Sequence, residues 1–134
     1  MAKHFISILI CVFTFNILFA QSNPEIIQSE YAKYEKSEKE INNIYQRILK
    51  EYRSEPGLLK NLKAAQRLWI QFRYAEVKTK YPDETGASYG RVYSMCISIY
   101  LTQLTNERIK TLRVWLTGIE EEDVCAGSVK TKNK

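Results

Sequence analysis

Glu38, Arg73 and Arg108 are the side chains of this sequence best placed to do chemistry. Each stands where a helical stripe of apolar residues calls for an apolar side chain. An unpaired charge in such a place is costly, so the three should find one another. One carboxylate between two guanidiniums satisfies both by bidentate contacts. Gln66, one or two turns before Arg73, can complete the network. Such a cluster fixes the register of packed helices; its functional counterpart is a site for an anionic group at a partly open bundle end. Glycoside cleavage by paired carboxylates is not indicated. Glu38 and Glu76 are the only carboxylates on the stripes, and nothing marks either as an acid of raised pKa. The only histidine, His4, lies in the leading apolar segment, and no CxxC or HExxH spacing occurs. Without His4 there is no Ser-His-Asp or Cys-His mechanism. The reading is a protein that binds and does not catalyse, with no cofactor and no metal.

Three helices must position these residues. The first is predicted from Pro24 to Tyr52, with Ile27, Tyr31, Tyr34, Glu38, Ile41, Tyr45, Ile48 and Tyr52 along its seam. Asn23 is its expected N-cap and Pro24 suits its first turn. Ser54-Glu55-Pro56-Gly57 breaks it. The second is predicted from Gly57 to Tyr81, with Leu58, Leu62, Ala65, Trp69, Phe72 and Glu76 inward and Gln66 and Arg73 at the edge. Pro82 to Gly86 then forms an exposed loop. The third is predicted from Ser88 to Leu116, with Ile97, Leu101, Leu104, Arg108, Leu112 and Trp115 inward and Gly118 as C-terminal cap. Helices of this length, about 40 Å each, with short breaks favour an all-α antiparallel three-helix up-down-up bundle. Residues 119–134 read as an irregular C-terminal extension, disordered at its end. Nine tyrosines and two tryptophans can fill so narrow a core.

Residues 1–20 have the order of a cleaved signal peptide: polar Lys3-His4, an apolar run from Phe5, then small Ala20 before Gln21-Ser22-Asn23. That predicts a helical domain over residues 21–118 in an exported protein, periplasmic or secreted, touching the membrane only through the signal. Loss of Lys3 leaves 19 Lys and Arg against 15 Asp and Glu, a net charge of +4. The charge is spread out and no groove-reading motif is present, so nucleic acid is not an expected partner. Two cysteines remain, Cys96 and Cys125, and an oxidising compartment favours pairing them. Geometry opposes the simple form of that bond. A straight helix from Cys96 to Gly118 covers about 33 Å, while the chain from Gly118 to Cys125 reaches about 25 Å. An intrachain bond therefore needs the helix to stop or bend before about Trp115. Exposed aromatic residues Tyr74, Tyr81, Tyr89 and Tyr93, around the second turn, and the acidic run Glu120, Glu121, Glu122 and Asp123 are the candidate binding surfaces.

The region from Tyr34 to Leu112 resembles the LprI-like family, named for a lysozyme inhibitor. The matching residues are Glu38, Ile41-Asn42 and Tyr45; then Leu62, Ala65-Gln66-Arg67, Trp69-Ile70 and Phe72-Arg73; then Leu104-Thr105, Arg108 and Leu112. The resemblance implies a secreted helical domain in which Glu38, Asn42, Tyr45, Gln66, Trp69, Arg73, Thr105 and Arg108 form a shared polar cluster. It also implies binding to an envelope protein or cell-wall component, with inhibition of a hydrolase such as lysozyme for part of the family. The alternative is a structural or accessory subunit docked on another envelope protein. Many members carry cysteines at the positions of Val77 and Tyr100, and an Asp at that of Tyr74, so the family's usual disulfide is absent here. Common lysozymes are strongly basic, and a chain of +4 is repelled at long range.

Overall fold

The computed structural model describes residues 24–120 and 123–132. The predicted signal segment and the Asn23 cap lie outside them. Among the described residues are three long helices: α1 (Pro24–Glu51), α2 (Pro56–Lys80) and α3 (Tyr93–Thr117). None is long and apolar enough to cross a membrane.

The helix ends follow from local chemistry. Pro56 occupies the first turn of α2, where a missing N–H costs nothing. The Tyr81 N–H closes that helix on the Val77 carbonyl, and Pro82 prevents its continuation. Gly118 ends α3 at φ 78°, its N–H on the Val114 carbonyl, as predicted. The predicted start of the third helix is corrected. Ala87–Val92 is a separate 3-10 segment, because Gly90 at φ 65° and ψ −156° cannot continue a helix.

Side-chain links give the topology. Along α2, Gln66, Arg73 and Glu76 meet Arg108, Thr105 and Tyr100, so their partners on α3 recede as α2 advances. Glu38 on α1 and Tyr52 just past its end meet Thr105 and Trp115, which advance together. The bundle is up-down-up, with α1 and α3 parallel. These two helices are the closest pair; α2 stands farther off. Small hydroxyl residues make the close approach possible. Ser37, Ser98 and Thr105 are all buried. Ser37 and Ser98 donate to the carbonyls of Tyr34 and Ser94 on their own helices, which satisfies their hydroxyls in the core.

The aliphatic core is concentrated in one half of the bundle. It contains Ile41, Ile44, Ile48, Tyr52, Leu62, Ile109 and Leu112, flanked by Trp69, Trp115 and Leu116. Ile119 pairs with Thr131 in a short parallel bridge, and the chain folds back on the end of α1. The Tyr52 hydroxyl donates to the Trp115 carbonyl and accepts from the Lys130 N–H. Lys130 also pairs with Glu51, and Lys132 with Glu120.

The candidate disulfide is corrected by the same geometry. Cys96, in the first turn of α3, and Cys125, in the returning tail, are free thiols. Unbroken helix from Tyr93 to Thr117 keeps them at opposite ends of the bundle. Non-reducing mass analysis is expected to show both thiols accessible to alkylation after denaturation, with no intrachain bond. An intact Cys96–Cys125 bond would show that α3 is shorter or bent.

Candidate functional site

The interior of the bundle turns on Arg73. Its guanidinium reaches from α2 to both α1 and α3, with its side chain 4% exposed against 28% for its partner Glu38. Nη1 donates to Glu38 Oε1 and, at 2.9 Å, to Thr105 Oγ1; Nη2 donates to Glu38 Oε2 at 3.3 Å. The Thr105 hydroxyl in turn donates to Glu38 Oε1 at 3.3 Å. The Trp69 ring lies 4.8 Å from the guanidinium carbon and that of Tyr74 5.3 Å, so aromatic faces cover what the carboxylate leaves open. Burial pushes the Arg73 guanidinium down, but the bond and charge of Glu38 outweigh it and hold the cation above its ordinary value. Beside it, burial first and the Glu38 charge second push the Tyr34 hydroxyl up.

This arrangement confirms the Glu38–Arg73 pair and corrects the rest of the expected triad. Arg73, not Glu38, is the deeply buried member. Arg108 does not share the carboxylate. Its Nε donates to Gln66 Oε1 at 3.1 Å, and burial alone pushes its guanidinium down. Arg108, one turn past Thr105 on α3, is turned toward Gln66 on α2, and Thr105 takes the second place beside Glu38. Of the other shared-cluster residues, Trp69 and Tyr45 flank the core, while Asn42 is exposed and apart from the network.

The candidate binding surfaces divide. Tyr81, Tyr89 and Tyr93 do gather at the α2–α3 turn, but chiefly against one another. Tyr81 meets the other two edge-on at 5.4 and 6.0 Å, and Tyr89 and Tyr93 stack at 5.3 Å. All three are half-buried, so their faces are largely used internally. Lys80 caps the cluster, 4.0 Å from the Tyr100 ring. Tyr100 donates its hydroxyl to Glu76 at 3.0 Å, a cross-link from α3 to α2 beside the positions where the resemblance places a cysteine pair. Tyr74 stands apart, 50% exposed. Glu120 and Asp123 lie at the opposite end of the bundle from the tyrosines, and Glu121 and Glu122 are outside the described residues. The acidic run and the tyrosines therefore do not form one surface.

A different surface was missed. Phe72, expected in the core, is 54% exposed, beside Leu68 at 61%, Ile70 at 40% and Tyr74 at 50%. Leu68 and Phe72 share one flank of α2 and Ile70 and Tyr74 the other, each pair one turn apart. The signal was present: α2 carries more apolar positions than one stripe can bury, and Arg73 between the flanks had to point inward.

The loop that precedes the tyrosine cluster is organised by Asp83. Its carboxylate accepts from the Thr85 hydroxyl and N–H and from the Ser88 N–H. The Thr85 hydroxyl, then Ser88, hold the Asp83 carboxyl well below the ordinary value of about 3.8. A carboxyl depressed on folding stabilises fully above its unfolded pKa and loses that contribution as pH falls toward the folded one.

Two outcomes are expected. Glu38→Gln strands a buried guanidinium and is expected to cost about 2–3 kcal/mol, the half-open site admitting some water. The double change Glu38→Leu, Arg73→Met should cost less than this single one. Denaturant unfolding of the two variants checks both figures. Asp83→Asn is expected to lower Tm at neutral pH, and the gap to the parent should narrow as pH drops from about 5 to about 2. A gap independent of pH would remove Asp83 from the acid response.

The family model described as Lysozyme inhibitor LprI matches residues 20–112. No curated protein and no solved structure matches the chain.

Proposed function

The chain belongs to the lysozyme inhibitor LprI family, and from that premise we propose that it is an exported protein that binds and inhibits a cell-wall hydrolase without catalysing a reaction itself. The observation that carries this reading is the apolar surface of α2. Leu68 and Phe72, one turn apart on one flank of α2, are 61% and 54% exposed on a helix held in place by Arg73, and Ile70 and Tyr74 are exposed on the other flank. Large apolar and aromatic side chains clustered on a rigid element are the usual anchors of a protein interface. Arg67, exposed one turn before Gln71, adds a charged rim. The family supports a protein partner in the envelope. An export signal over residues 1–20 agrees with that place of action.

Charge narrows the choice of hydrolase. The exported form carries +4, and apart from Arg73 the cations on α1 and α2 face solvent. Encounter with a strongly basic enzyme is opposed at low salt. The proposed target is a hydrolase whose contact surface is neutral or acidic.

The test is a cell-wall lysis assay with hydrolases of differing charge. Inhibition is expected to be weak for a strongly basic lysozyme and stronger for neutral or acidic enzymes. Leu68→Ser with Phe72→Ser should weaken it about tenfold or more and leave the unfolding midpoint near that of the parent, since both side chains already face water. Tight inhibition of a basic lysozyme that disappears on neutralising Glu120 to Asp123 would overturn the charge argument and move the contact to the acidic tail. Stable binding to an envelope protein with no loss of hydrolase activity would favour an accessory subunit instead.

A further inference from the structure

A groove of about 510 Å³ runs between the first half of α2 and the last half of α3. Its size falls within the range of small-molecule sites, about 300–1,000 Å³. Leu58 and Leu62 line one side, and Leu112 and Trp115 the other. Arg108 stands at its inner end, seven residues before Trp115, which is about 10 Å along the helix. Glu55 and Ser128 mark the outer end, where the returning tail crosses the bundle.

Arg108 is unlike Arg73. Its Nε is used by Gln66, a neutral acceptor, and among the described residues no carboxylate pairs with it. Its terminal nitrogens are not sealed in the core either, because the one buried side-chain nitrogen or oxygen without a partner among the described residues is Arg73 Nε. A guanidinium has five N–H donors in a planar fork. Gln66 fixes one edge of that fork and leaves the terminal nitrogens for an anion. Burial has removed part of the hydration of Arg108 with no anion in its place. One oriented cation at the end of an apolar trough is the arrangement that recognises an amphipathic anion.

We propose that this groove binds an aliphatic monocarboxylate, with the carboxylate on the Arg108 guanidinium and the alkyl chain along Leu58, Leu62, Leu112 and Trp115. The finite length of the trough favours a chain of medium length. Glu55 at the outer end disfavours a second carboxylate there. The groove adjoins the Leu68–Phe72 flank of α2 at Ala65 but shares neither of those residues, and it does not rest on hydrolase inhibition.

The test is titration of the purified protein with decanoate, read by calorimetry and by the fluorescence of Trp115 in a Trp69→Phe background. Decanol, decylamine and decanedioate serve as comparison ligands. Decanoate is expected to bind, with the three comparison ligands weaker by about tenfold or more. Arg108→Gln should weaken decanoate by a similar factor. Ala65→Phe places a ring in the groove from an exposed position and leaves Arg108 and Gln66 intact, so it should block binding even if Arg108→Gln perturbs the fold. The proposal is overturned if decanoate does not bind, if decanol binds equally well, or if Ala65→Phe leaves the affinity unchanged. A peptide with a C-terminal leucine that binds where decanoate does not would also overturn it, in favour of a protein ligand.

Discussion

Burying the Arg73 guanidinium is the constraint on which the rest of the bundle depends. A cation in that position needs an anion, an additional acceptor and a cover that excludes bulk water. Glu38 on α1, Thr105 on α3 and the Trp69 ring on α2 itself supply these, so one side chain engages all three helices. The directionality of its bonds does what a wholly aliphatic seam cannot. Leucines tolerate a helix turned by one residue; a guanidinium held by a carboxylate and a hydroxyl does not. Aliphatic burial in the adjoining half then supplies most of the stability, and the polar contact supplies the alignment.

That constraint also explains where the sequence was legible. The number of helices, their order and their ends at Pro56, Pro82 and Gly118 follow from local chemistry that does not depend on rotation, and the need of a seam charge for a partner pointed to Glu38 and Arg73. The inward faces were less legible. On α3 Leu101 and Leu112 are buried as the apolar pattern predicts, but in place of Ile97, Leu104 and Arg108 the buried residues are Ser98, Thr105 and Ile109, one position further along. On α2, Gln66 and Arg73 are buried where Ala65 and Phe72 were expected. On α1, Ser37 and Ile44 are buried while Tyr31 is exposed. A hydrophobic count treats Ser, Thr, Gln and Arg as surface residues. Here they occupy the centre because Arg73 needs acceptors and because α1 and α3 approach closely only over small side chains. The same rotation turns Phe72 outward, so the error in the core and the missed surface have one cause.

The two ends of the bundle have different characters. Around the α2–α3 turn, tyrosines, Lys80 and the Asp83 loop are joined by ring contacts and hydrogen bonds, a rigid but largely self-satisfied assembly. At the other end, the tail closes over Tyr52 and Trp115 through a few backbone bonds and two surface ion pairs. Exposed ion pairs contribute little, so the tail is held mainly by the Tyr52 hydroxyl and by Gly118. A Cβ at Gly118 would come within 2.9 Å of the backbone at Lys130, Thr131 and Lys132. The chain can return there only because that position has no side chain.

The parallel pairing of α1 with α3 has a consequence for how the chain acquires its structure. The helices in closest contact are those farthest apart in sequence, and the helix between them adds comparatively little backbone contact to either. An early hairpin of α1 and α2 would have Arg73 and Glu38 but no Thr105, and its core residues would lack Ile109 and Leu112 to pack against. The loop enclosing all of α2 must close before the main contact can form, and closing it costs conformational entropy. Assembly is therefore tied to completion of α3. A chain that emerges N-terminus first holds helices in waiting until its last third appears, and then folds as one cooperative unit.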